Sequence, residues 1–226
     1  HKKEKTFSKY MFFEITKRII DFIASIILLI IFSPIMLATA LAIKLSSSGP
    51  VLVEKENSHM KRLGKNGKIF RLFKFRSMSV NSDQSLKNDP KYKKLYKEYK
   101  ESSFKLHKDP RVTPIGKFIR KYSIDETPQF FNVLIGDMSL VGPRPYHADE
   151  LAEQQEKYPD TPKFVKEMHK VKPGITGYWQ VEGRSDVDFD KRIEMDAFYA
   201  RKKSLLFDIL IILKTPWAMI SGKGAV

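Results

Sequence analysis

Phe22 to Ile43 carries no charged residue, and a run that apolar fixes the environment before it fixes the fold. About 22 helical residues at a rise of 1.5 Å reach roughly 33 Å, enough to cross a bilayer core. Four structures satisfy such a run: a secretory signal, with Ala38-Thr39-Ala40 as its cleavage site, a straight spanning helix, a re-entrant helix that returns to the same face, and a buried core helix. The run exceeds the roughly 7–15 residues of a signal core. Two features favour re-entry. Pro34, after Ser33, donates no backbone hydrogen bond and clashes with the Ile30 carbonyl, so a kink is expected, and the Ser33 hydroxyl can satisfy backbone groups that lipid cannot. Both flanks are also basic: Lys2, Lys3, Lys5, Lys9, Lys17 and Arg18 precede the run, and Lys44, Lys55, Lys61, Arg62 and Lys65 follow it. The positive-inside rule therefore gives neither end a reason to leave the cytoplasmic side. A proline-kinked spanning helix followed by a basic domain is the plainer alternative.

Charge bounds the partners. The net charge of +15 implies a polyanion, whether nucleic acid, an anionic membrane surface or phosphorylated substrates. With no cysteine, a disulfide framework and a thiolate metal site are both excluded. The 226 residues suffice for one sizeable domain, or a domain and an anchor. The chain starts at His1 rather than Met, which reads as a piece of something longer.

Beyond a turn-rich exit at Ser46–Pro50, Arg62–Met78 reads as a β-hairpin turning at Asn66-Gly67. Phe73 and Phe75 alternate there with Lys74 and Arg76, which predicts one greasy and one cationic face. Asn81–Lys108 is lysine-rich, with Tyr92, Tyr96 and Tyr99 interleaved. That pattern fits an exposed helix or insert that packs through its tyrosines, and it also admits nucleic-acid binding. Asp149–Lys170 is expected to be helical. Ser204–Ile220 is apolar but interrupted by Asp208, Lys214 and Pro216. It reads as an interfacial amphipathic helix with Trp217 near the headgroups, or else as a core helix.

The most informative stretch is Ile115–Asp137. Thr127 is suited to cap a helix, Pro128 to open it and Gly136 to close it. Asp125 and Glu126 would then stand just before a helix N-terminus, where free N–H groups stabilise anions, with Arg120 and Lys121 adding positive charge. Ser123-x-x-Glu126 equally fits a capping box, which would make the acids structural. Chemically, a carboxylate beside a second carboxylate and a cluster of cations can attack phosphorus to form an acyl phosphate, with the cations spreading the transferring charge. Mg²⁺, a hard ion suited to diphosphate oxygens, would complete such a site.

At these residues the sequence resembles the bacterial sugar transferases, the monotopic phosphoglycosyl transferases that act on polyprenol phosphate. The resemblance runs from Arg18 to the end. It rests on Lys17-Arg18-x-x-Asp21, Ser33-Pro34, Phe73-Lys74-Phe75-Arg76-Ser77-Met78, Arg120-x-x-Ser123-x-Asp125-Glu126-x-Pro128-Gln129, Gly136 through Pro145, and Pro173-Gly174-Ile175-Thr176-Gly177. Each motif is weak alone; in this order they are specific. The resemblance implies an α+β, mainly helical fold: a monotopic membrane protein with a re-entrant N-terminal helix, a small β-hairpin and interfacial amphipathic helices. Residues 1–45 would form the basic segment and membrane helix, and residues 46–226 a cytoplasmic catalytic domain at the bacterial inner membrane. Asp125 would attack the β-phosphate of a UDP-sugar, release UMP and hold the phosphosugar covalently until polyprenol phosphate takes it. Glu126 would assist the second step or share Mg²⁺ with Asp125. Arg120, Lys74 and Arg76 would neutralise phosphate, and Arg144, pinned between Pro143 and Pro145, matches the nucleotide-side loop. A solvated Arg144 on a rigid loop and a membrane-facing Lys74 remain the bland alternatives. Gly177 through Asp186 resembles the larger hexose-1-phosphate members, favouring glucose or galactose as the donor sugar. Membrane lipids and a second copy of the chain complete the expected partners; nucleic acid is not among them.

Asp186-x-Asp188-x-Asp190 imitates the metal-binding D-x-D of nucleotide-sugar glycosyltransferases. That competing enzyme, a metal-dependent membrane glycosyltransferase, would release UDP. A polar Gly183-Arg184-Ser185 precedes the motif and a helical pattern follows, so acids in a first helical turn are the simpler reading. His59, His107, His147 and His169 lack ligand spacing and read as surface or structural. A basic membrane-tethered binding module is the non-enzymatic alternative, and it predicts steep salt dependence.

Overall fold

The first helix, α1 (Lys2–Ser46), runs for 45 residues and passes through Pro34 without interruption. The structure, a computed structural model, describes residues 2–53, 60–101, 106, 109–183 and 187–220. After α1 come the strands β1 (Lys61–Leu63) and β2 (Ile69–Arg71), then α2 (Ser82–Asn88), α3 (Lys93–Glu101), α4 (Pro114–Lys121) and α5 (Gln129–Ile135). There follow β3 (Ser139–Val141), α6 (Ala148–Lys157), α7 (Pro162–Met168), β4 (Gly174–Thr176), α8 (Tyr178–Glu182), α9 (Phe189–Lys202) and α10 (Leu205–Ile220). The protein is mostly helical with two small two-stranded sheets. It divides into two units: residues 1–31, 61–72 and 129–224 in the first, and 32–60, 73–128 and 225–226 in the second.

In the first unit β1 and β2 form the expected antiparallel hairpin, with Lys61 opposite Arg71, and Asn66 and Gly67 at positive φ in its turn. The hairpin is shorter than Arg62–Met78, because Lys74–Arg76 lies beyond β2 and pairs elsewhere. β3 and β4 run parallel, Ser139 against Gly174 and Val141 against Thr176. Gly142 and Gly174 let the two chains touch backbone to backbone: a Cβ on Gly174 would lie 2.0 Å from the Gly142 nitrogen. Asp149–Lys170 is helical as expected, as α6 and α7, which part where Pro159 and Pro162 cannot supply helical N–H groups. Tyr146, Leu151, Val165, Met168, Phe189 and Ile193 fill the core that α6, α7 and α9 enclose.

α5 ends as expected at Gly136, whose φ of 93° places it at the left-handed closing position. Its N–H donates to Val133, and Asp137 donates to Asn132, the paired bonds of a Schellman motif. Arg18 adds a fork, 2.6 Å to the Val133 carbonyl and 2.7 Å to that of Leu134. The remaining polar residues of that turn of α1 are also spent on the first unit. Asp21 accepts from the Leu140 N–H at 3.1 Å, and Lys17 pairs with Asp208 of α10 at 2.6 Å. Lys17-Arg18-x-x-Asp21 is therefore a docking motif.

Two helices are built inside out. On α1, Asp21 and Ser25 are buried while Ile30 and Leu37 are 67% and 71% exposed. On α10, Asp208 and Ile211 are buried, whereas Leu206, Leu213 and Trp217 stay open. Water would reverse both patterns; a lipid surround tolerates them, because only the polar residues then need protein partners. α1 is long and apolar enough to cross a membrane.

In the second unit Ile43, Phe75 and Ile119 form the core. Within Asn81–Lys108 the described residues form α2 and α3 with a single 3-10 turn between them. Arg111, next along the chain, forks onto Asp109 and stacks on Tyr99. α4 begins on Thr113, whose hydroxyl accepts from the Gly116 N–H at 3.0 Å. Gly116 then presses on the Ser77 carbonyl, 1.9 Å from where its Cβ would stand. Gly116→Ala should therefore cost about 2 kcal/mol or more through overpacking. Thermal unfolding in detergent should show a melting temperature several degrees lower; an unchanged one would mean that α4 shifts freely.

Candidate functional site

The acidic pair arises from how α4 stops. Its last turn ends at Lys121, and Ser123 then adopts φ 54°, a left-handed conformation that costs a serine free energy. The chain tightens into a 3-10 turn, Ile124–Glu126, immediately ahead of α5. The capping box does not form, since the Ser123 side chain makes no cap bond. Thr127 is not the expected side-chain cap either: its hydroxyl donates to the Ile124 carbonyl at 2.8 Å and closes the 3-10 turn. The acids still precede a helix, but in a turn of their own.

One extended segment fixes that turn. Phe75 donates its N–H to the Asp125 carbonyl at 2.9 Å. From the neighbouring residue, Lys74 places Nζ 2.8 Å from Asp125 Oδ2 and 3.2 Å from Glu126 Oε1. Asp125 is buried, at 2% exposure, while the Glu126 side chain is 43% exposed. Burial pushes the Asp125 carboxyl above its ordinary range, Lys74 pulls it back, and Glu126 and Arg120 act in opposite directions on it. Burial also disfavours the Lys74 ammonium, but the two carboxylates outweigh it and raise its pKa. The structure thus brings together Asp125, Glu126 and Lys74, with Arg120 near enough for its charge to be felt.

Arg76 is spent differently from the expected phosphate ligand. It is buried, with Nε 2.6 Å from the Pro50 carbonyl and Nη2 3.1 Å from that of Ser47. Its N–H bonds to Val51, Val53 bonds back to Lys74, and Leu52 bridges to Phe75. The cationic face read from alternation is therefore only Lys74: Arg76 clamps the exit of α1. Ser33 and Pro34 lie within continuous helix.

Pro143 and Arg144 belong to the first unit. The Arg144 guanidinium lies 5.7 Å from the Trp179 ring and 6.0 Å from Tyr146, within cation–π reach. The Arg144 backbone N–H donates to Asp196 Oδ2 at 3.3 Å. Asp196 is fully buried, and burial raises its pKa well above the usual carboxylate range. Arg192 covers Trp179 at 4.9 Å. Arg144 thus rests on a polar-aromatic floor rather than on an open loop. Sequence reasoning missed Trp179, Asp196 and Arg192, since they meet Arg144 only through folding; a lone acid on the buried face of α9 was the available signal.

The acidic decoy resolves as helix chemistry where it can be seen. Asp188 is the N-cap residue of α9 and Asp190 lies in its first turn, while Asp186 falls outside the described residues. Among the described residues no three acidic, histidine or cysteine side chains converge on a metal site. Arg62 donates to His147 Nδ1 at 2.7 Å, a structural contact; His59 and His107 lie outside the described residues. For Mg²⁺ the fit is that of a shared site: Asp125 and Glu126 offer hard oxygens, and magnesium commonly takes one or two carboxylates with the rest from phosphate and water.

Comparison with known proteins places these observations in a family. The family described as bacterial sugar transferase matches residues 12–222. An undecaprenyl-phosphate galactose phosphotransferase of Salmonella typhimurium is 44% identical over 92% of this chain and 41% of its own length. A UDP-glucose:undecaprenyl-phosphate glucose-1-phosphate transferase of Klebsiella pneumoniae is 41% identical over 92% of this chain and 41% of its own length. The chain thus spans about two-fifths of those two curated relatives. The exopolysaccharide production protein ExoY of Sinorhizobium fredii is 38% identical over 93% of this chain, and there the match takes in 88% of the relative. With nearly the whole chain matched, the acidic turn and the docking motif included, this protein belongs to the bacterial sugar transferase family.

Proposed function

We propose that this chain transfers a hexose 1-phosphate from a UDP-sugar to undecaprenyl phosphate, opening polysaccharide synthesis at the cytoplasmic face of the bacterial inner membrane. The observation that carries the reading is the buried Asp125 held by Lys74 beside the open Glu126, in a chain whose helices keep apolar faces uncovered. The relatives' names favour galactose or glucose as the sugar.

Asp125 Oδ attacks the β-phosphorus. The Oδ–P bond forms, the P–O bond to the α-phosphate breaks, and UMP leaves with the bridging oxygen. An oxygen of polyprenol phosphate then attacks the same phosphorus and frees the carboxylate, so one phosphoanhydride replaces another. Lys74 keeps Asp125 ionised in a buried setting and can share its charge with the phosphoryl oxygens. Arg120 extends that field, and Glu126 can take up a proton at its open carboxylate. Bound Mg²⁺ would neutralise diphosphate charge, with Asp125 and Glu126 as its protein ligands. Arg144 with Pro143 remains the candidate for donor recognition within the first unit. The basic flanks on both sides of the apolar run support a re-entrant α1.

Three outcomes are expected. With Mg²⁺, undecaprenyl phosphate and a panel of UDP-sugars, wild type should release UMP and Asp125→Asn none above background; UDP release, or UMP release undiminished in the variant, would sink the mechanism. The acid limb of UMP release should have its midpoint above the ordinary aspartate pKa of about 3.9, because burial raises Asp125. Lys74→Met should move that midpoint higher still, since the ammonium favours the ionised form; a lower midpoint would contradict the assigned pairing. Cysteines placed at Lys9 and Ser48 should both label with an impermeant maleimide in inverted vesicles and neither in intact cells. Labelling from opposite faces would make α1 a spanning helix.

A further inference from the structure

A cavity of about 50 Å³ in the first unit, between α1 and the strand β3, has no part in the chemistry at Asp125. It is several times the space of about 10–15 Å³ that one water requires. Glu14, Lys17, Arg18 and Asp21 line it from α1, and Ser139, Lys172 and Tyr199 from the rest of the unit. Most of these groups are already satisfied. Lys65 and Lys203 neutralise Glu14, Asp208 pairs with Lys17, Asp21 holds the Leu140 N–H, and Tyr199 donates to Asp208.

Two groups are left over. The Ser139 hydroxyl is buried, at 1% exposure, and has no partner among the described residues. Lys172 makes no hydrogen bond or ion pair among the described residues. Its ammonium and the Arg18 guanidinium flank the same point: a Cβ on Gly136 would lie 3.4 Å from Lys172 Nζ and 3.3 Å from Arg18 Nη2. Burial lowers the Lys172 pKa, Arg18 and Lys65 lower it further, and Asp21 and Glu14 pull it back in part. Adjacent cations with an unsatisfied hydroxyl in one cavity make an arrangement that an oxyanion would complete through charge-assisted hydrogen bonds.

The position on the chain indicates where that anion comes from. Lys17, Arg18 and Asp21 directly precede the uncharged run at Phe22, the height at which a membrane helix meets phosphate headgroups. We propose that the cavity binds one phosphate oxyanion, borne on a membrane-lipid headgroup or free in solution, with Lys172 and Ser139 as its donors. Binding there is independent of the proposed transfer reaction and is measured without a UDP-sugar.

The test is lysine footprinting of the full chain in a neutral detergent, with acetic anhydride and mass spectrometry. Dihexanoyl phosphatidylglycerol and inorganic phosphate are titrated separately. Either ligand should protect Lys172 about tenfold, the loss of free amine that a one-unit upward pKa shift gives, and leave the exposed Lys170 unchanged. Protection by the lipid alone identifies a headgroup site; protection by phosphate at the same concentration identifies a free-anion site. Lys172→Gln and Ser139→Ala should weaken the accompanying rise in melting temperature, and Lys172→Arg should keep it. Lys172 labelling indifferent to both ligands would overturn the proposal, as would a melting shift that survives Lys172→Gln. Should either variant fold poorly, the wild-type footprint decides by itself.

Discussion

α1 carries an apolar surface that the protein does not cover, and that constraint organises what surrounds it. Backbone and side-chain polar groups cannot be left unpaired in hydrocarbon. The helix therefore concentrates its polar contacts at two levels. Within the first unit, Lys17, Arg18 and Asp21 reach a carboxylate, two carbonyls and an N–H. Within the second, Arg76 holds the carbonyls of Ser47 and Pro50 where the helix gives way to extended chain. Each anchor is a long cation bonded to main chain or acid, a bond that side-chain shape alone does not supply.

The second anchor has a chemical consequence. The segment that Arg76 clamps is the one that presents Lys74 and pins the Asp125 carbonyl through Phe75. A buried carboxylate is expensive unless paired. Lys74 supplies the pair, and sharing the ammonium with Glu126 keeps it charged. Asp125, the proposed nucleophile, thus faces a cation that a phosphoryl group could compete for. Arg76 contributes by position, two residues away, without facing the acids.

The paired strands β3 and β4 show how motifs that look chemical can be steric. Gly142 and Gly174 are required because the two chains meet at backbone contact. Their proline neighbours stiffen the loop that sets Arg144 over Trp179 and Tyr146. The glycines and prolines hold Arg144, the residue proposed for donor recognition.

Much of this was legible in the sequence, for reasons of short range. Twenty-two uncharged residues, the Asn66-Gly67 turn, the Gly136 stop and the acids ahead of α5 are all local matters of hydropathy, φ and capping. What misled was also local. Alternation placed Arg76 on a cationic face, and Thr127 looked like a cap. Only the tertiary structure decided that Arg76 is spent on carbonyls, that Asp208 answers Lys17 from 191 residues away, and that Asp196 and Trp179 lie under Arg144. Those outcomes depend on which donors and acceptors are buried together. Burial of a polar group is a property of the packed chain, set by partners far apart in sequence, and no local pattern encodes it.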